Sequence, residues 1–520
     1  MKKIERALIS TYDKTGILDL AKTLVNFGVE ILSTGGTARH LRDANIQIVD
    51  VSDYTGFPEM LDGRVKTLHP KIHGGLLAQW NNSEHVKQSL ENHINPINIV
   101  ICNLYPFEDT IAKPDVTLED AIENIDIGGP TMIRAAAKNY HHVAVLTDPN
   151  QYTDIISELS NNDGCISDET RFELAKSAFL HTAHYDSAIS NYLTNLDSNE
   201  DIDNFLTLHY EKADTLRYGE NPHQDAAFYR TETKPSPCAA WAKQLNGPAL
   251  SYNNILDLDA ALEIVKDFTT PTCSIIKHNN PCGLASAENL QDAFNNALDC
   301  DRTSAFGSIV GLNRKVTIQT ANTIRDAAKS GVKIEAIIAP SYTEKALNAL
   351  SRVESRRILE TGSLSDAEPM MQMRHINGGV LIQDQDAHNI DKSDLKVATI
   401  REPTAQEIES LLFAWKACKH VKSNCILLAQ DTKTVGIGAG QMSRVDAAII
   451  AVRKAGEKAD GSVLASDAFF PFPDGVEIAG DAGIRAIIQP GGSVNDESVI
   501  ETADKYGIAM VLTGVRHFRH

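Results

Sequence analysis

The stretch Ser274-Ile275-Ile276-Lys277-His278-Asn279-Asn280-Pro281-Cys282-Gly283 passes from a short apolar run into a polar turn. The isoleucines predict the end of a strand, and the Asn, Pro and Gly residues after them predict that the chain turns sharply. Because α/β proteins bind their ligands where strands end in such loops, Lys277 and His278 are candidate site residues. An imidazole beside an ammonium group is a candidate proton acceptor near neutral pH. The same stretch also fits a turn whose lysine and histidine only face solvent.

The composition and charge of the chain narrow the functions to consider. At 520 residues the chain is too long for one ordinary core, and its 42% hydrophobic and 23% charged residues are typical of globular domains. The net charge of −20 argues against binding to nucleic acid or to a membrane surface, because both require a basic face. Local lysines, arginines and backbone N–H groups can still bind a small anion.

We expect a cytoplasmic protein without a targeting signal. The N-terminal residues 1–9 include two lysines but no long apolar core and no cleavage site, so they predict a first strand rather than a signal peptide. No apolar run is long enough to span a bilayer. The eight cysteines are scattered without a Cys-x-x-Cys motif, which favours reduced thiols over disulfides or a structural zinc site. The sequence contains no visible internal repeat.

Strand and helix patterns alternate along most of the chain. In residues 1–150 they predict a parallel sheet covered by helices, with strands at 7–10, 29–32, 97–103 and 143–146 and helices at 16–27 and 130–139. Residues 150–200 are predicted to be mostly helical, and the polar segment 195–204 to be a linker. The rest of the chain alternates again and is long enough for two α/β lobes. We therefore predict domains at 1–200, with a core at about 1–148, and at 201–520.

Two segments of the first domain are candidate binding loops. Ser33-Thr34-Gly35-Gly36-Thr37 lies between a predicted strand and helix, where free N–H groups suit an anion, although a plain tight turn fits as well. It has neither the Walker A nor the Rossmann spacing, which argues against ATP or a dinucleotide. Residues 64–73 hold one arginine, two lysines and two histidines, which indicates an anion site or a solvated basic loop. His69 and His73 have the spacing of a metal pair on a helix, but we expect Pro70 and the glycines that follow to prevent a helix, so no metal site is predicted.

Further polar residues follow predicted strands or begin predicted helices. Asn103 and Tyr105 lie at the end of the strand 97–103. In the segment 126–139 an aspartate precedes a Gly-Gly-Pro helix start. Arg134 and Lys138 lie one helical turn apart in that segment, where they would bind one anion or remain solvated.

The second part of the chain carries further motifs, at 216–224, 304–307, 421–424, 436–444 and 466–474. The first of these combines a cation, an aromatic ring, an amide and an imidazole. Ser443 is predicted to cap the helix that follows it. The aromatic residues of 466–474 suit either a flat heterocyclic ligand or a hydrophobic core. The last five residues, 516–520, fit either a ligand-binding end or a disordered tail.

Taken together, the motifs resemble one enzyme family. Residues 12–16, 33–37, 64–75 and 126–130 resemble, in order and spacing, the inosine monophosphate (IMP) cyclohydrolase domain of the bifunctional purine-biosynthesis enzymes. The later motifs resemble the other half of these enzymes, the transformylase that acts on 5-aminoimidazole-4-carboxamide ribonucleotide (AICAR). The resemblance covers nearly the whole chain. It implies an α/β fold with an N-terminal methylglyoxal-synthase-like parallel-sheet domain followed by a two-lobed, cytidine-deaminase-like transformylase region.

The resemblance implies two consecutive reactions. A formyl group passes from 10-formyltetrahydrofolate to AICAR, and the formylated product (FAICAR) then closes to IMP with loss of water. Formyl transfer to a weakly nucleophilic aromatic amine requires a base and stabilisation of a developing oxyanion. The resemblance further implies a homodimer with transformylase sites between subunits, and no metal. The expected partners are AICAR, FAICAR, IMP and the folate, without nucleic acid or membrane.

The resemblance also implies which residues serve each site. The catalytic residues are Lys277, His278 and Asn424 for formyl transfer and Lys138, Asp126, Tyr105 and Lys66 for ring closure. The residues that bind the nucleotide in the first domain are Tyr12, Asp13, Lys14, Thr34, Gly35, Gly36, Thr37, Arg64, Val65, Thr67, Cys102, Asn103 and Ile127. Those that bind AICAR are Arg217, Tyr218, Gly307, Glu335, Arg444, Phe469 and Arg516. Those that contact the folate are Val445, Asp474, Ser493 and Val494.

Two other classes of protein share parts of this pattern. A zinc deaminase requires His-x-Glu and Pro-Cys-x-x-Cys ligands, and Pro281-Cys282 has no second cysteine three residues later. A nucleotide-sensing module is the other alternative, because the first domain also resembles methylglyoxal synthase and the allosteric domain of carbamoyl-phosphate synthetase. A sensor would need neither Lys138 nor the second part of the chain.

Overall fold

The computed structural model describes residues 1–197, 204–231, 236–364 and 370–520. The chain forms two compact units, Met1–His209 and Tyr210–His520. Within the predicted linker, residues 198–203 lie outside the described residues, and the residues just before them end a helix. In the described ranges no helix combines the length and the apolar character that a membrane span requires.

The first unit contains seven strands and ten α-helices in the residues described. The strands are β1 Lys2–Lys3, β2 Arg6–Thr11, β3 Glu30–Ser33, β4 Val49–Asp50, β5 Ile99–Asn103, β6 Ala144–Leu146 and β7 Cys165–Ile166. The helices are α1 Ile17–Asn26, α2 Gly35–Asp43, α3 Val51–Thr55, α4 Pro70–Leu77, α5 Ser83–Glu91, α6 Phe107–Ile111, α7 Leu118–Glu123, α8 Gly128–Lys138, α9 Tyr152–Asn161 and α10 Asp168–Asp197. The six strands and helices predicted in residues 1–150 are all present, with ends shifted by at most two residues.

A five-stranded parallel sheet in the order β4-β3-β2-β5-β6 forms the centre of the first unit. Leu8 and Ile9 of β2 and Val100 and Ile101 of β5 are completely buried, because helices cover both faces of the sheet. The order of strands reverses at β2, so the loops after β2 and β5 diverge. In open parallel sheets this point is where a crevice for a ligand forms.

Helix α4 corrects one prediction from the sequence. Pro70 does not prevent a helix but begins one, at the first helical position, where proline has no N–H group to lose. The ring of His69 caps this helix by accepting the backbone N–H of Lys71 at 3.1 Å. His73 lies one turn further on, and its Nε2 atom is buried without a hydrogen-bond partner. Burial lowers the pKa of His73 from the ordinary value of 6.5.

The second unit contains sixteen strands and eight α-helices in the residues described. The strands are β8 Glu211–Leu216, β9 Ala226–Arg230, β10 Lys243–Asn246, β11 Thr272–Lys277, β12 Asn280–Ser286, β13 Ser308–Leu312, β14 Ile334–Ala339, β15 Arg357–Glu360, β16 Met371–Ile376, β17 Gly379–Asp384, β18 Lys396–Val397, β19 Ile426–Gln430, β20 Lys433–Gly438, β21 Val463–Ser466, β22 Ala486–Gln489 and β23 Ala509–Leu512. The helices are α11 Tyr252–Lys266, α12 Leu290–Cys300, α13 Ile318–Lys329, α14 Glu344–Leu350, α15 Ala405–Cys418, α16 Arg444–Ala455, α17 Asp474–Asp481 and α18 Asp496–Lys505.

Twelve of these strands form one mixed sheet whose two halves have the same design. Each half contains, in chain order, a helix, a hairpin, a second helix, a strand antiparallel to the first strand of the hairpin and two further strands parallel to that one. In the first half these elements are α11, β11–β12, α12, β13, β14 and β15. In the second half they are α15, β19–β20, α16, β21, β22 and β23. The fold therefore repeats although the sequence shows no repeat. The halves meet where Ala285 pairs with Lys433 and the Thr434 hydroxyl bonds the backbone of Leu284.

The turn between β11 and β12 is shorter than the sequence predicts. His278 and Asn279 form it, with φ values of 53° and 61°, as a two-residue hairpin turn of the I′ type requires. Pro281, Cys282 and Gly283 belong to β12, so the prediction that they continue the turn is wrong. The register of the hairpin shifts beside Cys282, and a bulge is a position at which a strand tolerates proline.

Two glycines allow the central hairpins to contact their helices directly. A Cβ atom at Gly283 would lie 1.9 Å from the carbonyl oxygen of Ala297 in α12. A Cβ atom at Gly438 would lie 2.0 Å from the carbonyl oxygen of Ala447 in α16. Any side chain at either position would push a helix away from the sheet, because backbone atoms are the obstacle.

We predict that Gly283→Ala lowers the free energy of unfolding by about 1–3 kcal/mol, because the new methyl group collides with the backbone of α12. Gly379→Ala is the matched control, since its Cβ would have only ordinary contacts, at 3.6 Å from Ile376. We expect the control to change stability by no more than about 0.5 kcal/mol. Urea unfolding of the full chain measures both variants, and equal stability of the two would contradict the packing argument.

A second prediction concerns pH. The unfolded chain protonates His73 near 6.5 but the folded protein does so only at lower pH. The stability that His73 contributes is therefore present above pH 6.5 and is lost as the pH falls from there through its folded-state pKa. We expect His73→Gln to lose less stability than the parent between about pH 7 and about pH 5. An NMR titration of His73 tests the pKa directly, and the exposed His375→Gln is the control variant.

Candidate active sites

A cavity of about 660 Å³ lies in the first unit, at the carboxyl ends of β2, β3 and β5. Most of the residues that the resemblance assigns to the first domain line it: Tyr12, Lys14, Thr34, Gly35, Gly36, Thr37, Arg64, Lys66, Thr67, Asn103, Tyr105, Asp126 and Ile127. The parallel sheet brings them together, because its loops all leave from one edge. A cavity of this size accommodates a nucleotide-sized ligand.

The N-terminus of α2 and three cations make the cavity a suitable site for an anion, whereas Asp126 already accepts the N–H of Gly129 at the start of α8. Gly35 begins α2 and Gly128 begins α8, and both residues line the cavity. The free N–H groups at a helix N-terminus bind anions. Lys14, Arg64 and Lys66 add positive charge, although Arg64 pairs with Glu123 and Lys66 with Glu59, at 3.0 Å for the latter pair. A phosphorylated ligand fits this set of groups.

Side-chain hydrogen bonds fix the loops of the cavity. The Asn103 amide accepts the backbone N–H groups of Tyr12 and Asp13 at 2.6 and 3.0 Å. The Thr37 hydroxyl bonds both the N–H and the carbonyl group of Thr11. The rings of Tyr12 and Tyr105 meet edge to face, with 5.7 Å between their centres. The walls are therefore set before a ligand binds.

Asp126 is the acidic group of the cavity. Its Oδ1 atom accepts the N–H of Gly129 at 2.8 Å, and its own N–H donates to the hydroxyl of Tyr185 at 2.7 Å. Burial raises the pKa of Asp126, and backbone N–H groups of Gly129, Tyr105 and Gly128 oppose that shift only in part. A carboxyl group with a raised pKa beside cations is suited to accept and return a proton.

Four predicted residues of the first domain do not line the cavity. Asp13, Val65 and Cys102 lie directly beside residues that do. Burial raises the pKa of the Cys102 thiol far above its ordinary value. Lys138 is the last residue of α8 and is exposed, whereas the first turn of the same helix lines the cavity. A helix of this length separates its two ends by about 15 Å.

Ten further residues line the cavity but are not predicted from the sequence. They are Ser10, Thr11, Gly63, Ile122, Glu123, Asn124, Ile125, Gly128, Gly129 and Met132. The Gly-Gly-Pro helix start was a usable signal for Gly128 and Gly129, because glycines at a helix N-terminus leave room for a ligand. The segment 122–125 carries no such signal.

In the second unit, Lys277 ends β11 and His278 occupies the hairpin turn. The Lys277 ammonium donates to the carbonyl oxygens of Phe306 and Gly307 at 3.0 and 3.3 Å. The His278 side chain is exposed. Asp257 of α11 accepts the N–H of Asn279 at 2.7 Å and holds the turn against the helix. The sequence does not predict this contact. Burial raises the pKa of Asp257, and nearby hydrogen bonds and cations oppose that shift.

Asn280 joins this turn to the loop that carries Asn424. Its side chain accepts the N–H of Lys422 at 3.0 Å. The structure thus brings together the motifs around Lys277 and Asn424, which are far apart in the sequence. Asn424 in turn donates its side-chain amide to the carbonyl of Gln441 at 2.8 Å.

Arg444 is buried, and both of its terminal nitrogens bond other groups of the protein. It pairs with Asp467, which is completely buried, and donates to the Ser466 hydroxyl at 2.7 Å. Its second terminal nitrogen donates to Oδ1 of Asn424 at 2.8 Å. In this chain Arg444 therefore orients Asn424. Ser443 caps the same helix by accepting the N–H of Asp446 at 3.1 Å, which confirms that prediction.

Of the other predicted AICAR residues, Gly307 and Glu335 lie close to Lys277. A Cβ atom at Gly307 would lie 3.1 Å from the Lys277 ammonium and 3.7 Å from a carboxylate oxygen of Glu335. The remaining predicted AICAR residues contact other parts of the second unit. Arg217 stacks on Tyr218 after β8, and Arg516 stacks on Phe518. Phe469, after β21, is partly exposed. In the described residues no hydrogen bond or ion pair joins these three to Lys277.

The predicted folate residues lie on neighbouring loops. Asp474 begins α17, and Ser493 and Val494 precede α18. Asn495 ties these two loops together by donating to the carbonyl of Pro471 at 2.7 Å. Val445 lies on α16 directly after Arg444 and is partly exposed. Val494 is completely exposed.

The C-terminal residues are anchored rather than forming a free tail. His517 is buried against Trp415 and bonds the Asp386 carboxylate at 2.6 Å. The backbone N–H of Arg519 donates to the Ser423 hydroxyl at 3.0 Å, next to Asn424. This end of the chain therefore supports the loop that carries Asn424.

The cysteine side chains of the described residues are mostly buried. All eight cysteines fall in the described ranges and are free thiols. Cys282 is buried, and burial raises its pKa to about 12, which keeps the thiol protonated. Over those same ranges, no three or more His, Cys, Asp or Glu side chains cluster in a way that could hold a metal ion.

Comparison with known proteins gives two family matches. Residues 136–454 match the family described as AICARFT/IMPCHase bienzyme, and residues 16–131 match the MGS-like domain. Among similar proteins are those named bifunctional purine biosynthesis protein PurH in Halalkalibacterium halodurans, Bacillus subtilis and Bacillus cereus. The first is 52% identical over 515 residues, 99% of each chain. The second is 50% identical over 517 residues, 99% of this chain and 100% of the relative, and the third 51% over 520 residues, all of both.

Proposed function

The chain belongs to the AICARFT/IMPCHase bienzyme family, and on this basis we propose that its first unit closes the purine ring and its second unit transfers the formyl group. As a member of this family, the protein is both an AICAR formyltransferase and an IMP cyclohydrolase. These two activities are the final steps of purine biosynthesis. A formyl-folate is its cosubstrate. The observation that best supports ring closure in the first unit is its cavity, in which the N-termini of two helices lie beside cations and a carboxyl group.

Ring closure needs few groups beyond those that line this cavity. The carboxamide nitrogen of FAICAR attacks the formyl carbon and loses one proton, and the formyl oxygen gains a proton and becomes a hydroxyl group. A ring nitrogen then loses a second proton as the hydroxyl group gains one and leaves as water, which forms the C=N bond of the purine ring. The N-terminus of α2, with Lys14 and Arg64, would hold the phosphate. Lys66 would stabilise the oxyanion formed by the attack, and Asp126 would accept each proton from nitrogen in turn and pass it to the oxygen. Tyr105 would stack against or bond the heterocycle.

The role that the resemblance gives Lys138 stays a prediction. Its position at the far end of α8 favours Lys66 as the ammonium group of this cavity. The two lysines can be separated by mutation, as described below.

Formyl transfer in the second unit would use Lys277, His278 and Asn424. The AICAR amine attacks the formyl carbon of 10-formyltetrahydrofolate, forming a C–N bond, and loses its proton to His278. The bond to the folate nitrogen then breaks, and that nitrogen gains a proton as tetrahydrofolate leaves. Lys277 would stabilise the oxyanion between these steps, and Asn424, oriented by Arg444, would hold the carboxamide. We propose Val445, Asp474, Ser493 and Val494 as folate contacts.

A second subunit would complete the transformylase site. Large apolar side chains on the loops around it are exposed in a single chain, namely Met442, Val494, Phe306 and Phe472. Exposed apolar groups of this kind mark a binding surface. We therefore propose a homodimer in which Arg217, Tyr218, Phe469 and Arg516 complete the AICAR site. The cytidine-deaminase-like description of the two lobes, the cytoplasmic location and the absence of a required metal are further parts of the proposal.

One assay tests the whole proposal. The protein is supplied with AICAR and 10-formyltetrahydrofolate, and tetrahydrofolate and IMP are followed together. Both products should form, tetrahydrofolate first. Separate addition of FAICAR isolates ring closure from formyl transfer.

We predict that Lys66→Met lowers the rate of ring closure by about 100-fold, because the oxyanion loses its positive partner. Formyl transfer by the same chain should be unchanged, which provides an internal control for folding. Lys87→Met, at an exposed lysine of α5, is the matched control and should leave both activities intact. Full ring closure by the Lys66 variant would remove Lys66 from the site.

Lys138→Met separates the two lysines. Ring closure at the parental rate would remove the role that the resemblance gives Lys138. A loss as large as that of the Lys66 variant would retain it.

For formyl transfer we predict that His278→Asn lowers the rate by about 100- to 1000-fold, because the proton acceptor is removed. Asparagine is the suitable replacement, since it tolerates the left-handed conformation of residue 278 and keeps the turn. Binding of AICAR, measured by calorimetry, should persist. Asn279→Gly keeps the same turn and should retain most activity. Unchanged turnover of His278→Asn would refute the assignment of the base.

A further inference from the structure

A second cavity, of about 280 Å³, lies in the second unit beside the hairpin β11–β12. Lys277 lines one side of it, and Lys454 of α16 lines it as well. Asp301 and Ser304, from the segment after α12, also line it. Lys454 and Asp301 have no part in the mechanism described so far, yet they lie in the same cavity as its central ammonium group.

Backbone carbonyls hold that ammonium group in place. The Lys277 Nζ atom donates to Phe306 at 3.0 Å and to Gly307 at 3.3 Å. These carbonyls belong to the segment 301–307, so the orientation of Lys277 depends on the conformation of this segment. Gly307 has a φ of 73°, and its N–H donates to the carbonyl of Lys333 at 2.7 Å.

Asp301 fixes the segment from its first residue. Its carboxylate accepts the N–H of Ser304 at 2.9 Å and the Ser304 hydroxyl at 2.7 Å. Its own carbonyl accepts the N–H of Ala305 at 3.1 Å. These three bonds close a turn that ends one residue before the Phe306 carbonyl.

Lys454 in turn holds Asp301. Its ammonium group lies 2.7 Å from the Asp301 carboxylate, whose side chain is only 12% exposed. Burial alone would favour the neutral acid, but the bonds from Lys454 and Ser304 lower the pKa of Asp301 below its ordinary value. The carboxylate is therefore charged at neutral pH and can serve both partners.

We propose that Asp301 and Lys454 are positioning residues for formyl transfer, which hold the segment 301–307 so that its carbonyls orient the ammonium group of Lys277. The inference rests on the proposed role of Lys277. This ion pair joins the two halves of the sheet, because Asp301 follows α12 and Lys454 lies on α16.

The chain offers a matched control for this ion pair. Lys458 and Asp299 form a second pair between the same two regions, at 2.6 Å, and Lys458 also donates to the Asp299 carbonyl. This pair is more exposed and has no bond to the segment 301–307. A purely stabilising role for ion pairs at this place predicts similar effects for both.

The experiment compares full-length variants in steady-state formyl transfer to AICAR. We expect Asp301→Asn and Lys454→Met to lower kcat by about 10- to 100-fold, because misplacement of a reacting group by about 1 Å has effects of this size. The KM for AICAR should change by no more than about twofold, since ground-state binding is not the target. Lys454→Arg should recover most of kcat, and Lys458→Met should match the parent. Ring closure should be unchanged in all four.

Three results would overturn the inference. One is a parental kcat in Lys454→Met. Another is an equal loss in Lys458→Met, which would reduce both pairs to general stabilisation. The third is failure of Lys454→Arg to recover activity that Lys454→Met has lost. If Asp301→Asn does not fold, the three lysine variants decide the question.

Lys277→Met distinguishes failure of this inference from failure of the proposed function. A Lys277 variant with full formyl transfer would remove the role of Lys277 and the inference with it. An inactive Lys277 variant beside a fully active Lys454→Met would leave the proposed function intact and refute only the positioning role.

Discussion

The close approach of helix and strand at Gly283 and Gly438 is the constraint on which the second unit depends. Neither position has room for a Cβ atom, because a helix carbonyl lies about 2 Å from where it would be. The same kind of contact occurs in both halves of the sheet. It brings the end of α12, and with it Asp301, close to α16. The groups around Lys277 are thus a consequence of backbone packing.

The first unit reaches an anion site by a different route. Its sheet is parallel, so helices begin at the same edge at which the strands end. The chain carries a net charge of −20, yet Lys14, Arg64 and Lys66 line one cavity beside two helix N-termini. Local positive charge therefore makes this cavity suited to an anion even though the chain as a whole is acidic.

Arg444 illustrates why a residue type does not reveal its role. As a sequence feature, an arginine in a polar loop indicates a phosphate partner. In the folded chain its guanidinium is buried and engaged by Asp467, Ser466 and Asn424. An unpaired buried charge is costly, so the arginine requires its carboxylate before any ligand arrives. One of these bonds, to Asn424, joins the arginine to another predicted site residue.

The sequence alone predicted four strands of the central sheet and two helices of the first unit from local periodicity, and most lining residues of its cavity from the resemblance of contiguous motifs. It failed where the outcome depends on packing. Pro70 begins a helix rather than preventing one, and the turn at His278 is two residues long. The repeat of the second unit is visible only in its strand order. The pair of Asp301 and Lys454, which are 153 positions apart, exists only because two helices pack on adjacent hairpins, and no local pattern records such a contact.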